Sequence, residues 1–232
     1  ALPTFRYSAE TIGKALSKER LGGICHINLC GGGETLLPKE MTQIIYELLK
    51  QGHYLAIITN GTVTKRFEEI CEFPLEFRER IMFKFSFHYL ELKRLNWMDK
   101  FFSNVNMMRA AGCSISVELT PDDYYIPHIE DIKKVCLEKV GAVCHVTVAR
   151  KETDKELPIL TTLPREEYIK IWETFDSELW RFKMSIFNVK RNEFCYGGLW
   201  TAHLNLGSGI LKQCYCGSVL QNIFENVEEP IH

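Results

Sequence analysis

No stretch of this sequence approaches the ~20 consecutive apolar residues that a bilayer-crossing helix needs, which excludes a helical membrane span. Charge of one sign is not in excess either. Lys and Arg number 28 against 30 Asp and Glu, a formal net charge of −2, so nothing electrostatic points to nucleic acid or an anionic membrane. A G-x-G-x-x-G run and a G-K-[ST] run are both missing, which removes the dinucleotide fingerprint and the P-loop. The first residues, Ala1-Leu2-Pro3-Thr4-Phe5-Arg6, lack the apolar core of a secretory leader and an initiating methionine, as expected of a chain that begins within a domain. Nine cysteines are an odd set; with no leader they point to reduced thiols in a cytoplasmic setting rather than to a disulfide framework.

What is present suits a folded chain. The sequence is 46% hydrophobic with 14 Phe and 4 Trp, which excludes disorder, and 232 residues suit one sizeable domain or one and a half. Ser8 is an N-cap candidate for a helix carrying Ile12, Ala15 and Leu16 on one face, ended by Gly22-Gly23. A strand-length run, Ile24–Cys30, then meets Gly31-Gly32-Gly33-Glu34, and Pro38 opens a helix that runs to Gly52. Further strands are predicted at Tyr54–Thr59, Met82–Phe87, Ile115–Thr120 and Val143–Ala149. Helices near Asp99–Ala111, Pro127–Val140 and Arg165–Phe175 follow the last three. Strand starts fall roughly 28–33 residues apart, the length of a βα unit, so the expected fold class is α/β with a parallel sheet.

Within most of those strands the side chains alternate; Tyr54–Thr59 is the weaker case, with Leu55, Ile57 and Thr59 on one face and Ala56 and Ile58 opposite. Cys25, Ile27 and Leu29 oppose His26, Asn28 and Cys30; Phe83, Phe85 and Phe87 oppose Lys84, Ser86 and His88; Ile115, Val117 and Leu119 oppose Ser116, Glu118 and Thr120. Parallel strands covered on both faces usually read as continuous apolar runs. An alternating set instead suits a curved sheet with helices outside and a wet, polar hollow inside. A flat sheet with one exposed face, or a packed polar core, are the alternatives. In either parallel architecture, a site belongs at the carboxyl ends of the strands.

The residues found there have useful chemistry. Gly31, Gly32 and Gly33 let a ligand approach the backbone, and Glu34 suits an amino group; a plain strand-to-helix turn would use the same glycines. Thr59-Asn60, Ser86 with His88, and Glu118 with Thr120 end three further strands, a set that can hold a ligand with an amino acid at one end and a ribose at the other. His88 suits acid–base or substrate-binding work, or a place in a polar layer, the role expected for His145. Asp122-Asp123-Tyr124-Tyr125 is a functional loop or a solvated turn, and Phe77-Arg78-Glu79-Arg80 reads as solvated surface.

Leu29-Cys30-Gly31-Gly32-Gly33-Glu34-Thr35 resembles the second strand and GGE motif of the radical S-adenosylmethionine enzymes. Thr59-Asn60-Gly61 and Phe85-Ser86-Phe87-His88 are similar to that family's following strands. The resemblance implies a partial (β/α)6 TIM-like barrel over residues 1–180, its first strand missing. It implies that Gly32, Gly33 and Glu34 hold the methionine end of S-adenosylmethionine, that Ser86 meets the ribose, and that Glu118 and Arg150 line the nucleoside pocket. In the intact enzyme a [4Fe–4S] cluster would cleave the cofactor reductively and the resulting radical would take hydrogen from a substrate.

The chain departs from that family in one defining respect. The C-x3-C-x2-C loop that holds the radical cluster is absent, and Cys25 and Cys30, on opposite faces of one strand, cannot replace it. The chain as given is therefore expected to be a fragment, or a degenerate relative that serves as a cofactor-binding scaffold. A lysine-dependent lyase on a similar barrel is disfavoured, because Lys84 lies too early in its strand. In residues 181–232, Thr201–Leu206 and Ile210–Cys216 flank a Gly207-Ser208-Gly209 turn, a hairpin that draws Cys195 and Cys214 together. The spacing C-x13-G-x4-C resembles the start of a SPASM or twitch extension, which implies an auxiliary iron–sulfur cluster on Cys195, Cys214 and, as a third ligand, Cys216. Zinc, or no metal at all, are the rival readings. By analogy such an extension favours a peptide or protein substrate.

Overall fold

The computed structural model describes residues 5–231. Along the chain run α1 (Ala9–Ala15), β1 (His26–Leu29), α2 (Met41–Lys50), β2 (Tyr54–Thr59), α3 (Thr64–Cys71), α4 (Leu75–Arg78), β3 (Ile81–Ser86), α5 (Tyr89–Arg94) and α6 (Met98–Ala110). There follow β4 (Ser114–Leu119), a 3-10 turn (Asp123–His128), α7 (Ile129–Val140), β5 (His145–Val146), α8 (Arg165–Glu173) and α9 (Glu178–Ile186). Three short strands close the chain: β6 (His203–Asn205), β7 (Ile210–Lys212) and β8 (Val219–Asn222). The first five strands form one parallel sheet in the order β1-β2-β3-β4-β5, alternating with helices as the βα spacing predicts, and the last three form an antiparallel sheet. Among the described residues no helix is long and apolar enough to cross a membrane.

The chain packs as two compact units, one made of residues up to Ile57, Glu68–Met82 and the chain from Asn192 on, the other of Ile58–Phe67 and Phe83–Arg191. In the first, Ser8 caps α1 by accepting from the Thr11 N–H at 3.2 Å. Gly13 lets α1 lie against α2, since a Cβ there would meet the Glu47 Cβ at 2.9 Å. His53, fully buried, bridges two segments: its Nδ1 accepts from the Cys25 N–H at 3.1 Å, so its Nε2 carries the proton donated to the Leu16 carbonyl at 2.7 Å. Arg20 reaches the Ala15, Ile223, Asn226 and Glu229 carbonyls at 2.7–3.4 Å. That one buried guanidinium therefore fastens the amino-terminal helix to the segment after β8.

In the second unit the alternation of β3 is realised side by side. Phe83, Phe85 and Phe87 are buried with Phe67, Phe101 and Phe102, their ring centroids 5.1–5.9 Å apart in the recorded pairs. Burying each phenyl ring contributes about 1.5–3 kcal/mol, which makes this the unit's main cohesive layer. A second layer joins α8 and α9 through Tyr168, Trp172 and Trp180.

Several sequence expectations change. The strand expected over Val143–Ala149 contracts to His145–Val146, because the chain leaves β4 after the Thr147 N–H has reached the Leu119 carbonyl and then pairs with itself, Arg150 against Ile159. The run Phe77–Arg80 is not merely solvated: Phe77 packs on Tyr46 at 5.3 Å and Arg80 donates to the His53 carbonyl at 3.0 Å. His145 is exposed rather than held in a polar layer, its Nδ1 3.5 Å from the Ser177 hydroxyl. Cys113, Cys136 and Cys144 are buried as small apolar side chains.

Candidate functional site

In the first unit, β1 ends at Leu29 and the chain opens into the glycine run. Gly31, Gly32 and Gly33 are exposed, and none has a positive φ. A Cβ on Gly32 or Gly33 would meet nothing within 4 Å, and one on Gly31 only ordinary contacts at 3.9 Å. Neither conformation nor crowding inside the protein asks for glycine here. What they do provide is uncovered peptide surface with free space over it. Glu34 is half-buried beside them, and its Oε1 accepts from the Leu36 N–H at 3.0 Å, which fixes the carboxylate close to the backbone of its own turn.

The turn after β2, in the second unit, is different. Thr59 is buried and its hydroxyl accepts from the Gly61 N–H at 3.1 Å, while the Asn60 Oδ1 accepts from the Thr62 N–H at 3.0 Å and hydroxyl at 2.7 Å. Gly61 is needed there: its φ is +74°, and a Cβ would lie 2.7 Å from the Phe101 ring. Asn104 Nδ2 completes the turn by donating to the Gly61 carbonyl at 2.8 Å. Both Thr59 and Asn60 therefore have structural duties in this turn.

On the polar face of the same unit, Ser86 is half-buried at the end of β3 and His88 is exposed at the start of α5. The Glu118 carboxylate, on β4, receives Lys84 Nζ and the buried Ser116 hydroxyl, both at 3.2 Å. Lys183, on α9, is half-buried near this group. Burial holds its ammonium below the ordinary lysine value; Glu118 pulls the other way, and Lys84 and Arg150 add to the lowering. Sequence reading places Glu118 and Arg150 here and misses Lys183, which lies past the last βα unit with no motif around it. Nearby, Asp122 caps the 3-10 turn, and Asp123 accepts from the Thr161 hydroxyl and from the Thr162 N–H and hydroxyl, each at 2.7 Å. Burial raises the Asp123 pKa, but those hydrogen bonds outweigh it and leave the carboxyl below its ordinary value.

A surface groove of about 310 Å³ is lined by Tyr89, Leu92, Asn96 and Asp131, between α5 and α7. None of the sequence-predicted site residues lines it. In the first unit, Cys195, Cys214 and Cys216 are all exposed. The Sγ atoms of Cys214 and Cys216 stand 4.0 Å apart, and a Cβ on Gly197 would lie 3.3 Å from both the Cys195 sulfur and the Gln213 carbonyl. The predicted hairpin is present, His203 pairing with Lys212 and Asn205 with Ile210, and β8 adds a third strand that the sequence pattern does not announce. Among the described residues no group of three His, Cys, Asp or Glu side chains is placed to hold a metal ion. The cysteines of this chain thus do not fit a three-thiolate iron–sulfur cluster as they stand.

No family model and no curated protein matches the chain. Solved structures do. SuiB of Streptococcus suis bound to S-adenosylmethionine is similar at a TM-score of 0.61 and 14% identity, over 97% of this chain and 59% of that one. The same protein bound to its precursor peptide SuiA is similar at 0.60 and 14%, over 96% and 57%. The anSMEcpe protein with bound AdoMet and the Cp18Cys peptide is similar at 0.58 and 17%, over 95% and 70%. The likeness shows a shared fold, and the chain spans about 59% of the SuiB chain.

Proposed function

We propose that this chain is the S-adenosylmethionine-binding barrel of a radical S-adenosylmethionine enzyme that acts on a peptide or protein. Gly32, Gly33 and Glu34 hold the methionine end, through exposed peptide groups and a carboxylate for the ammonium. Ser86 meets the ribose, with Glu118 and Arg150 beside the nucleoside. The single observation that carries this reading is the run of three exposed glycines that the fold itself does not require. The shared fold with two proteins solved with this cofactor, each also solved with a peptide, supports it. Residues 181–232 are read as the start of an auxiliary-cluster-like segment on the spacing of Cys195, Cys214 and Cys216 alone, since the three thiols do not stand together as one ligand set.

What the residues do is bind and orient. Glu34 neutralises the ammonium at a fixed point, and the glycine backbone presents donors and acceptors where a side chain would stand. The family's reductive step needs three thiolates that these 232 residues do not supply in the required spacing, so the reading is one of cofactor binding and substrate positioning. A second reading, a cofactor-binding scaffold without radical chemistry, draws on that same missing spacing. Calorimetric titration of S-adenosylmethionine into wild type, Glu34→Ala and Ser86→Ala tests the site: affinity should fall at least about tenfold in Glu34→Ala, the loss of one charge-assisted hydrogen bond. Equal affinity in all three would remove both residues from it. Anaerobic reconstitution of the full-length gene product with iron and sulfide, followed by a search for 5′-deoxyadenosine, separates the two readings.

A further inference from the structure

The turn between β7 and β8 holds two thiols side by side. The Gly217 N–H donates to the Cys214 carbonyl at 3.1 Å and the Gln213 N–H to the Ser218 carbonyl at 3.0 Å, so residues 213–218 form a closed turn. Tyr215, between the two cysteines, meets the His203 ring of β6 edge-on at 5.3 Å, which ties the middle of the turn to the same sheet. Gly217 leaves the room that the first thiol occupies: a Cβ there would stand 3.0 Å from both the Cys214 Sγ and the Cys214 nitrogen. Cys214 and Cys216 are thereby held with their Sγ atoms 4.0 Å apart, and both are exposed. A disulfide needs about 2.05 Å between the sulfurs, an approach that rotation about the two Cα–Cβ bonds supplies. Cys113, Cys136 and Cys144 are buried by contrast, away from any soluble oxidant.

We propose that Cys214 and Cys216 form a reversible thiol–disulfide couple, oxidised by a low-molecular-weight disulfide of the glutathione class. One cysteine thiolate attacks a sulfur of the oxidant, which forms a mixed disulfide and releases half of the oxidant as a thiolate. The second cysteine, also as thiolate, attacks the protein sulfur of that mixed disulfide and releases the other half. Two electrons pass from the protein to the oxidant, and the two protons end on the two thiols released. The loop so closed, Cys214-Tyr215-Cys216, is too short to add much stability, and its exposure leaves the bond open to reduction again. Because the thiolate is the metal-binding form, the state of the couple decides whether this turn offers metal donors at all. The couple stands on the geometry of the turn and does not depend on the cofactor reading.

The test equilibrates the full chain, with chelator and under argon, in buffers of oxidised and reduced glutathione, then blocks free thiols with N-ethylmaleimide. Trypsin cuts after Lys212 and nowhere beyond it, so residues 213–232 leave as one peptide that holds Cys214 and Cys216 and no other cysteine. In oxidised glutathione that peptide should be lighter than the dithiol by two hydrogens and carry no maleimide. Excess reduced glutathione should return it to the doubly blocked form. Its ratio of disulfide to dithiol should be about tenfold higher in the native chain than in urea, since only the fold holds the sulfurs together. Cys216→Ser should instead carry one glutathione on Cys214. Three results would overturn the inference: equal ratios in native and urea-unfolded chain, glutathione adducts without an internal bond in wild type, or a bond joining Cys195 to Cys214. Because neither S-adenosylmethionine nor Glu34 enters the assay, its failure stays separate from failure of the cofactor site, read from Glu34→Ala.

Discussion

Replacing single glycines by alanine separates the glycines the fold needs from those a ligand would need. At Gly61 the added methyl group meets Phe101 Cδ2 at 2.7 Å, Cε2 at 2.8 Å and Phe85 Cδ1 at 3.0 Å, and both rings are buried and cannot recede. Its φ of +74° adds about 1–2 kcal/mol of left-handed strain, and the overpacking about 1–3 kcal/mol more. Gly61→Ala should therefore cost about 2–5 kcal/mol, a fall in Tm of roughly 5–15 °C for a chain of this size. At Gly32 and Gly33 the same methyl group enters open space from an ordinary backbone, so the folded state loses nothing and the unfolded chain loses freedom. Those variants should melt at or slightly above wild type, by about 0.4–1 kcal/mol, while their S-adenosylmethionine affinity drops at least about tenfold. Melting by circular dichroism and titration by calorimetry read the two effects separately. If Gly32→Ala and Gly33→Ala melt as early as Gly61→Ala, the glycines serve the fold and the site reasoning fails; if they melt normally and bind normally, the peptide surface there is not a cofactor surface.

Two further outcomes follow from single contacts. Arg20→Ala leaves up to four backbone carbonyls without their donor, so it should cost about 2–4 kcal/mol and expose residues 223–231 to limited proteolysis, with the new cleavages located by mass spectrometry. Asp123 has a depressed pKa, so the stability it contributes is present above the ordinary aspartate value of 3.8 and is lost as pH falls through its lower folded value. Protection of the Thr162 amide against hydrogen exchange, corrected for the intrinsic rate at each pH, should hold at pH 5 and fall only below the ordinary aspartate value of 3.8, and Asp123→Ala should abolish it throughout.

The sheet was legible because alternation is a property of the strand itself. Phe83, Phe85 and Phe87 can face only one way, and Tyr54–Thr59 matches its expected bounds because Gly52 and Gly61 punctuate both ends. The short helices α3, α4 and α5 were not, since four to eight residues carry too few apolar positions to declare a helical period. β8 escaped because Val219–Asn222 gains its strand character from pairing with β7 and not from its own pattern. Of the candidate site, Gly31–Glu34 and Glu118 could be found from strand ends. The turn duties of Thr59 and Asn60 could not, because a hydroxyl or amide that folds back on its own backbone looks the same in sequence as one turned to a ligand.

The Arg20 fastening also sets a timetable for synthesis. Its carbonyl partners at Ile223, Asn226 and Glu229 leave the ribosome some two hundred residues after the guanidinium itself, so the first unit cannot close until those residues have been made. The second unit draws almost wholly on the continuous stretch Phe83–Arg191 and can form while the tail is still being made. Nascent chains stalled before Ile223 should therefore hold a finished aromatic layer beside a first unit whose Arg20 still lacks three of its carbonyl partners.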